Sequence, residues 1–214
     1  MDGNSKDETL KIIEKYSDKA DIKWVSEPDK GLYDAMNKGI KMATGDYIGI
    51  LNSDDLFFSK NTLQEVADCL TENSGIDAIT GDIIQNKDGK VIRKYSSKNW
   101  NPEKLKIGFM PPHPSIFIKV ELFEKFGNYT LGYKIASDYE MIIRFFLKHK
   151  IKYKYSGIIT TSMLVGGASS SGMSSYHTIT EEVDKAFKGN NIKYSPLKVK
   201  YRFVWKIFGF LKRG

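Results

Sequence analysis

Two adjacent carboxylates, Asp54 and Asp55, close the polar cluster Asn52-Ser53-Asp54-Asp55 that follows the apolar run YIGIL at 47–51. Ligands of an open parallel sheet bind beyond the carboxyl ends of its strands, and a strand over 47–51 puts the pair at such an end. Neighbouring carboxylates repel each other and are costly unless a cation or hydrogen-bond donors compensate them. A hard divalent ion shared with phosphate oxygens is the natural compensation, since Mg²⁺ or Mn²⁺ takes one or two carboxylates plus a diphosphate. On spacing alone, an exposed helix-capping loop accounts for the pair equally well. His113 stands between Pro112 and Pro114, which excludes a regular helix or central strand and places it on a rigid bend. It reads as a ligand-side donor or as a structural histidine. Asp138 falls in the first turn of a helix capped by Ser137, where the helix dipole favours the ionised carboxylate.

The elements that must position these residues are legible from periodicity. Ser5 and Glu8 read as a capping box opening a helix over about 6–17, with Leu10, Ile13 and Tyr16 on one face. A strand at 22–25 leads through EPDKG to a helix over about 31–42, with Leu32, Ala35, Met36 and Ile40 inward. The strand at 47–51, a helix at about 60–70 and the strand IDAIT continue the alternation, which predicts a parallel α/β sheet. Beyond residue 80 the pattern changes. IIQNKDGKVIRKY predicts a hairpin turning at Asp88-Gly89, so antiparallel strands join the parallel ones. A strand at 115–119, helices at 120–126 and 137–149, and strands within 151–164 complete the body. GGASSSGMSS (166–175) reads as a flexible loop, with Gly166 and Gly167 suited to closing over an acceptor.

Four segments, in order, carry a resemblance. ATGDYIGILNSDD resembles the strand and metal-binding loop of family 2 glycosyltransferases. EPDKGLYDAMNKGI resembles the segment that these enzymes place against the nucleotide and donor sugar. PHPSIF and ASDYEMIIRF resemble the acceptor-side histidine segment and the later acidic motif that supplies the base, and MDGNSKDET resembles the turn after the second strand. The resemblance implies a GT-A fold, a mixed, mostly parallel sheet flanked by helices with a Rossmann-like nucleotide-binding half. It also implies transfer of a sugar from a nucleoside diphosphate, with inversion, to a glycan or lipid-linked acceptor hydroxyl. Asp54 would be the main ligand to Mg²⁺ or Mn²⁺, with Asp55 touching metal or donor sugar and Asn52 standing where many relatives carry an Asp. Asp2 would face the base, Asp29, Lys30 and Asp34 would lie along the nucleotide sugar, and His113 would reach donor or acceptor. Asp138 would be the general base, with Glu140 directed to another face, toward solvent or a supporting role.

Composition agrees with a globular protein: 41% apolar and 28% charged residues in 214. The net charge is +7, and residues 195–214 hold six basic residues (Lys198, Lys200, Arg202, Lys206, Lys212, Arg213) and no acid. The body is thus nearly neutral, which argues against a nucleic-acid surface. The division expected is a domain over 1–190 and a basic aromatic tail over 191–214. Such a tail suits an anionic membrane surface, or packs back on the body; six basic groups near anionic lipid contribute at most roughly 6 kcal/mol. No signal peptide is apparent, which predicts a cytoplasmic protein, peripheral on the membrane's inner face. Cys69, the single cysteine, is expected in the core. Measured against the resembling family, the chain is expected to lack the first strand and helix. The rival readings are an inactive membrane-associated remnant of such an enzyme and a nucleotidyltransferase; the latter would carry a Gly- and Arg/Lys-rich phosphate loop near the start.

Overall fold

The computed structural model describes residues 1–200 apart from 18, 20 and 165–172. The expected acceptor loop at Gly166-Gly167 and most of the basic tail lie outside the described residues. The chain opens with an isolated parallel bridge between Asp2 and Ser26, which flanks α1 (Thr9–Ser17). Two expectations change here. The stretch 22–25 forms no strand beyond that bridge, and Ser5 bonds the Asp2 carboxylate instead of capping a helix. The first turn begins later because Asp7 accepts the Thr9 N–H. Leu10 and Ile13 are half-buried and Tyr16 is exposed.

Helix α2 (Leu32–Met42) turns Tyr33, Met36 and Ile40 into the core at helical spacing, while Leu32 is exposed. The strands β1 (Tyr47–Gly49) and β2 (Leu56–Phe57), α3 (Thr62–Glu72), β3 (Ala78–Lys87) and β4 (Lys90–Ser96) follow. Then come β5 (Ile116–Lys119), α4 (Val120–Phe126), α5 (Ser137–Ile142), β6 (Tyr153–Leu164), α6 (Met173–Gly189) and α7 (Pro196–Lys200). The six-stranded sheet has the order β1-β5-β3-β6-β2, with β4 on β3. Strands β5 and β3 are antiparallel, as are β5 and β1, so β1 and β3 share a direction although β5 lies between them. Strand β6 is parallel to β3. Hence the β-α alternation holds from α2 onward while the pairing does not follow it. The hairpin turns where expected, with Asp88 and Gly89 both at positive φ.

The main core lies between the sheet and α2, α4, α5 and α6; a smaller cluster (Val66, Leu70, Ile79, Phe117) lies under α3, with Cys69 half-buried at its border. Ile192, Tyr194 and Val199 pack on the main core, so the body continues past residue 190. Among the described residues no helix is long and apolar enough to cross a membrane.

The helix expected over 137–149 is α5 followed by a π-helical segment, Ile143–Lys148. The wider turn carries Arg144, whose guanidinium donates to the carbonyls of Phe126, Gly127 and Asn128 just past α4 and to both oxygens of Glu140. Glu140 is therefore buried, not directed to solvent. Burial opposes its ionisation, but hydrogen bonds from Arg144 and Asn190 hold its carboxyl below the usual range. A buried pair of this kind is a strong constraint, because losing one partner strands the other. Arg144→Ala is expected to cost about 3–5 kcal/mol of unfolding free energy, measured by urea denaturation. A loss within about 1 kcal/mol would place the pair with exposed ones.

Candidate active site

Three groups of the expected site residues form. The first surrounds the opening turn. Asp2 is buried, and its carboxylate accepts the Ser26 hydroxyl at 2.6 Å, the Ser5 hydroxyl at 2.5 Å and the Ser5 N–H at 3.0 Å. Hydrogen bonds from Ser26 and then Ser5 lower its pKa from 3.8 to about 2. The Asn4 backbone N–H adds a weaker contribution, so the carboxylate is held by the turn that it closes. Gly3 lies close against Asp29, since a Cβ there would meet Asp29 Oδ2 at 2.6 Å and push that side chain aside. Asp29 accepts the Gly31 N–H at 2.8 Å, and Asp34 accepts the Lys30 N–H at 3.0 Å. That backbone bond, against burial and with the cations Lys38 and Lys30, lowers the pKa of Asp34. Asp2, Asp29, Lys30 and Asp34 thus form one contiguous patch, with the Lys30 side chain exposed.

The second group follows β1. Asp54 is exposed and Asp55 is 5% exposed. Asn52 Nδ2 donates to Asp55 Oδ2 at 3.2 Å, leaving Asn52 Oδ1 and Asp55 Oδ1 buried without a partner. Burial raises the pKa of Asp55, and the Asp54 charge adds to the effect. Two orphaned oxygen acceptors fit a hard cation or the hydroxyls of a sugar. Among the described residues no three acidic, histidine or cysteine side chains gather as a metal cluster, so oxygens from a ligand would have to complete any coordination.

The third group is built on the bend and α5. His113 opens a 3-10 turn, and its Nε2 lies 2.7 Å from the Tyr129 hydroxyl. Burial lowers its pKa, so the neutral imidazole is favoured. Ser115, Thr160 and Thr161 bond the carbonyls of Pro112 and Pro114 and fix the bend. Tyr33 stacks on Tyr129 with ring centroids 5.7 Å apart; its hydroxyl donates to the Ile135 carbonyl and stands 3.5 Å from Asp138 Oδ1. Asp138 accepts the Tyr139 N–H at 2.7 Å. Its carboxyl pKa is raised, because burial outweighs His113 and the hydrogen bonds. The expectation that the helix end keeps it low is corrected: α5 starts at Ser137, which is not the cap, and the Ser137 hydroxyl donates to Thr130 O. Strand β6 links the second and third groups. Leu56 pairs with Ser162 and Phe57 with Thr161, and Thr161 reaches Pro114 beside His113.

Sequence reading missed Tyr33, Tyr129 and Glu182. Tyr33 carried a signal, the i, i+3, i+7 spacing with Met36 and Ile40; Tyr129 and Glu182 gave none.

The architecture is of the GT-A type. The Staphylococcus aureus TarS 1–349 structure in complex with UDP-GlcNAc superposes with a TM-score of 0.67 at 18% identity, covering 98% of this chain and 62% of that one. A Pyrobaculum calidifontis mannosyltransferase in complex with GDP-Man and Mn²⁺ gives 0.60 at 16%, covering 93% and 56%. The chain belongs to glycosyl transferase family 2, whose model matches residues 1–159. A Mycobacterium bovis PGL/p-HBAD biosynthesis glycosyltransferase is 29% identical over 168 residues, 76% of this chain and 62% of the relative. An uncharacterized Mycobacterium tuberculosis glycosyltransferase is 32% identical over 130 residues, 56% and 46%. The chain therefore spans less than two thirds of the length of these relatives.

The Asp2 linkage has a definite sign. A depressed carboxyl pKa contributes stability above about 3.8 that is lost as pH falls toward about 2. Acid unfolding followed by circular dichroism is expected to show Asp2→Asn losing less stability than the parent over that interval; an identical acid profile would remove Asp2 from the linkage.

Proposed function

We propose that the chain transfers a sugar from a nucleoside diphosphate, a UDP-sugar in the first instance, to a hydroxyl of a glycan or lipid-linked acceptor, with inversion at the anomeric carbon. The observation that carries this reading is the half-buried Asp138 carboxylate, which accepts the Tyr139 N–H beside the Tyr33 hydroxyl, in a chain of this family. Asp138 takes the proton of the acceptor hydroxyl as its oxygen bonds to the anomeric carbon. The bond from that carbon to the diphosphate breaks, and the nucleoside diphosphate leaves with the electron pair. A positioned base contributes about 10²- to 10⁴-fold. The neutral His113 imidazole serves as a hydrogen-bond donor to donor or acceptor, with Tyr129 fixing the ring.

On the donor side, the turn held by Asp2 borders the base, and Asp29, Lys30 and Asp34 line the nucleotide. Asp54 and Asp55 hold Mg²⁺ or Mn²⁺; the unpartnered Asp55 and Asn52 oxygens support this donor set. When bound, that ion offsets the charge growing on the departing diphosphate. The basic tail, docked on anionic lipid, would bring a membrane-borne acceptor within reach.

The test is release of nucleoside diphosphate from UDP-GlcNAc, UDP-glucose, UDP-galactose and GDP-mannose with Mn²⁺ present. Release from at least one donor is expected, and release from none contradicts the reading. With that donor, Asp138→Asn is expected to retain nucleotide binding and lose at least about 10²-fold in rate. Because the Asp138 pKa is raised, the parent rate should fall on the acid side at a pH above the usual carboxylate range. Asp55→Ala and Asp54→Ala should each weaken UDP binding by calorimetry only when Mn²⁺ is present; weakening without the ion would return both to a structural role.

A further inference from the structure

Helix α6 lies beyond the family match, which ends at residue 159. Its Glu182 is 9% exposed and faces the segment that leads into α5. Glu182 Oε1 accepts the Lys134 N–H at 2.5 Å, and Oε2 accepts the N–H groups of Ile135 at 3.0 Å and Ala136 at 2.8 Å. Three consecutive backbone donors on one carboxylate leave the segment little freedom, and the carbonyl of Ile135 is taken at the same time by Tyr33. Asp138 follows two residues later. One helical turn along, Lys185 donates to the Gly132 carbonyl and lies over the Tyr133 ring.

We propose that Glu182 is the positioning residue for Asp138: it holds the Lys134–Ala136 backbone at the place from which Asp138 accepts the acceptor's proton. The assignment rests on the reading of Asp138 as general base. Charge alone does not explain the arrangement, because both oxygens of Glu182 are spent on backbone N–H groups. Gln at this position keeps one acceptor oxygen but turns an NH₂ donor toward backbone donors, so at least one N–H loses its partner. The groups around Asp138 itself, His113 on the bend, Tyr33 on α2 and Tyr129 before α5, are unchanged by that substitution.

Glu182→Gln is expected to lower kcat with the best donor by about tenfold to a hundredfold, as small misplacements of reacting groups do, and to leave donor KM unchanged. The acid limb of the kcat profile should move down in pH, since a slackened segment lets water reach the Asp138 carboxyl that burial now raises. A purely structural role would lower melting temperature without moving that limb. Amide hydrogen exchange, which needs no donor, should show faster exchange at Lys134, Ile135 and Ala136. If the Gln variant loses its near-UV circular dichroism, Glu182→Asp, which keeps the charge and withdraws the oxygens by a methylene, carries the same measurements.

Unchanged exchange at those three amides, or an unchanged kcat and acid limb, overturns the proposal. Asp138→Asn assayed in parallel separates the claims. A slow Asp138→Asn beside a normal Glu182→Gln removes the clamp alone, whereas a normal Asp138→Asn removes the base assignment on which the clamp depends.

Discussion

The segment between α4 and α5 enters the core at Tyr129 and Ala136, and side chains from other elements take many of its backbone polar groups. Such a connection has no strand or helix ladder to take its N–H and C=O groups, and each that is buried and left alone costs as much as a lost hydrogen bond. Here the partners come from other elements. Arg144 takes the carbonyls of 126–128, and Asn37 takes both the N–H and the carbonyl of Tyr129. Ser137 takes the carbonyl of Thr130, Lys185 that of Gly132, Tyr33 that of Ile135, and Glu182 the N–H groups of 134–136. The result is a rigid approach to Asp138 assembled from α2, α5, the π-helical turn and α6.

That constraint unites the two sides of the proposed site. Tyr33 and Asn37 sit one turn apart on α2, whose first turn also carries Asp34, so the helix that borders the proposed nucleotide patch also holds the segment before Asp138. The stacked rings of Tyr33 and Tyr129 stand between His113 and Asp138, the Tyr129 hydroxyl meeting the imidazole and the Tyr33 hydroxyl lying near the carboxylate. Burial favours the protonated phenols in both tyrosines, which suits hydrogen-bond donors that do not themselves exchange protons near neutral pH.

Much of this was legible in the sequence because it rests on local pattern. The β-α alternation from about residue 31 to 80, the Asp88-Gly89 turn and the position of the Asp54-Asp55 loop follow from periodicity and turn chemistry. The opening helix was placed too early because Ser5 and Glu8 match a capping box, whereas Ser5 is drawn to Asp2, a contact made with Ser26 from 24 residues away. Glu140 was read from its helix face as a supporting or solvent residue, and its burial depends on Arg144, which a π-helical turn redirects. Glu182 was invisible for a stronger reason. Its partners are backbone N–H groups nearly fifty residues distant, and backbone donors leave no mark on residue type.

The central claim is a single base acting on the acceptor while the nucleoside diphosphate departs from the opposite side. The configuration of the new glycosidic linkage, read by proton NMR of the product, tests it most directly. From an α-linked nucleotide sugar the account predicts the β product, and an α product would contradict it.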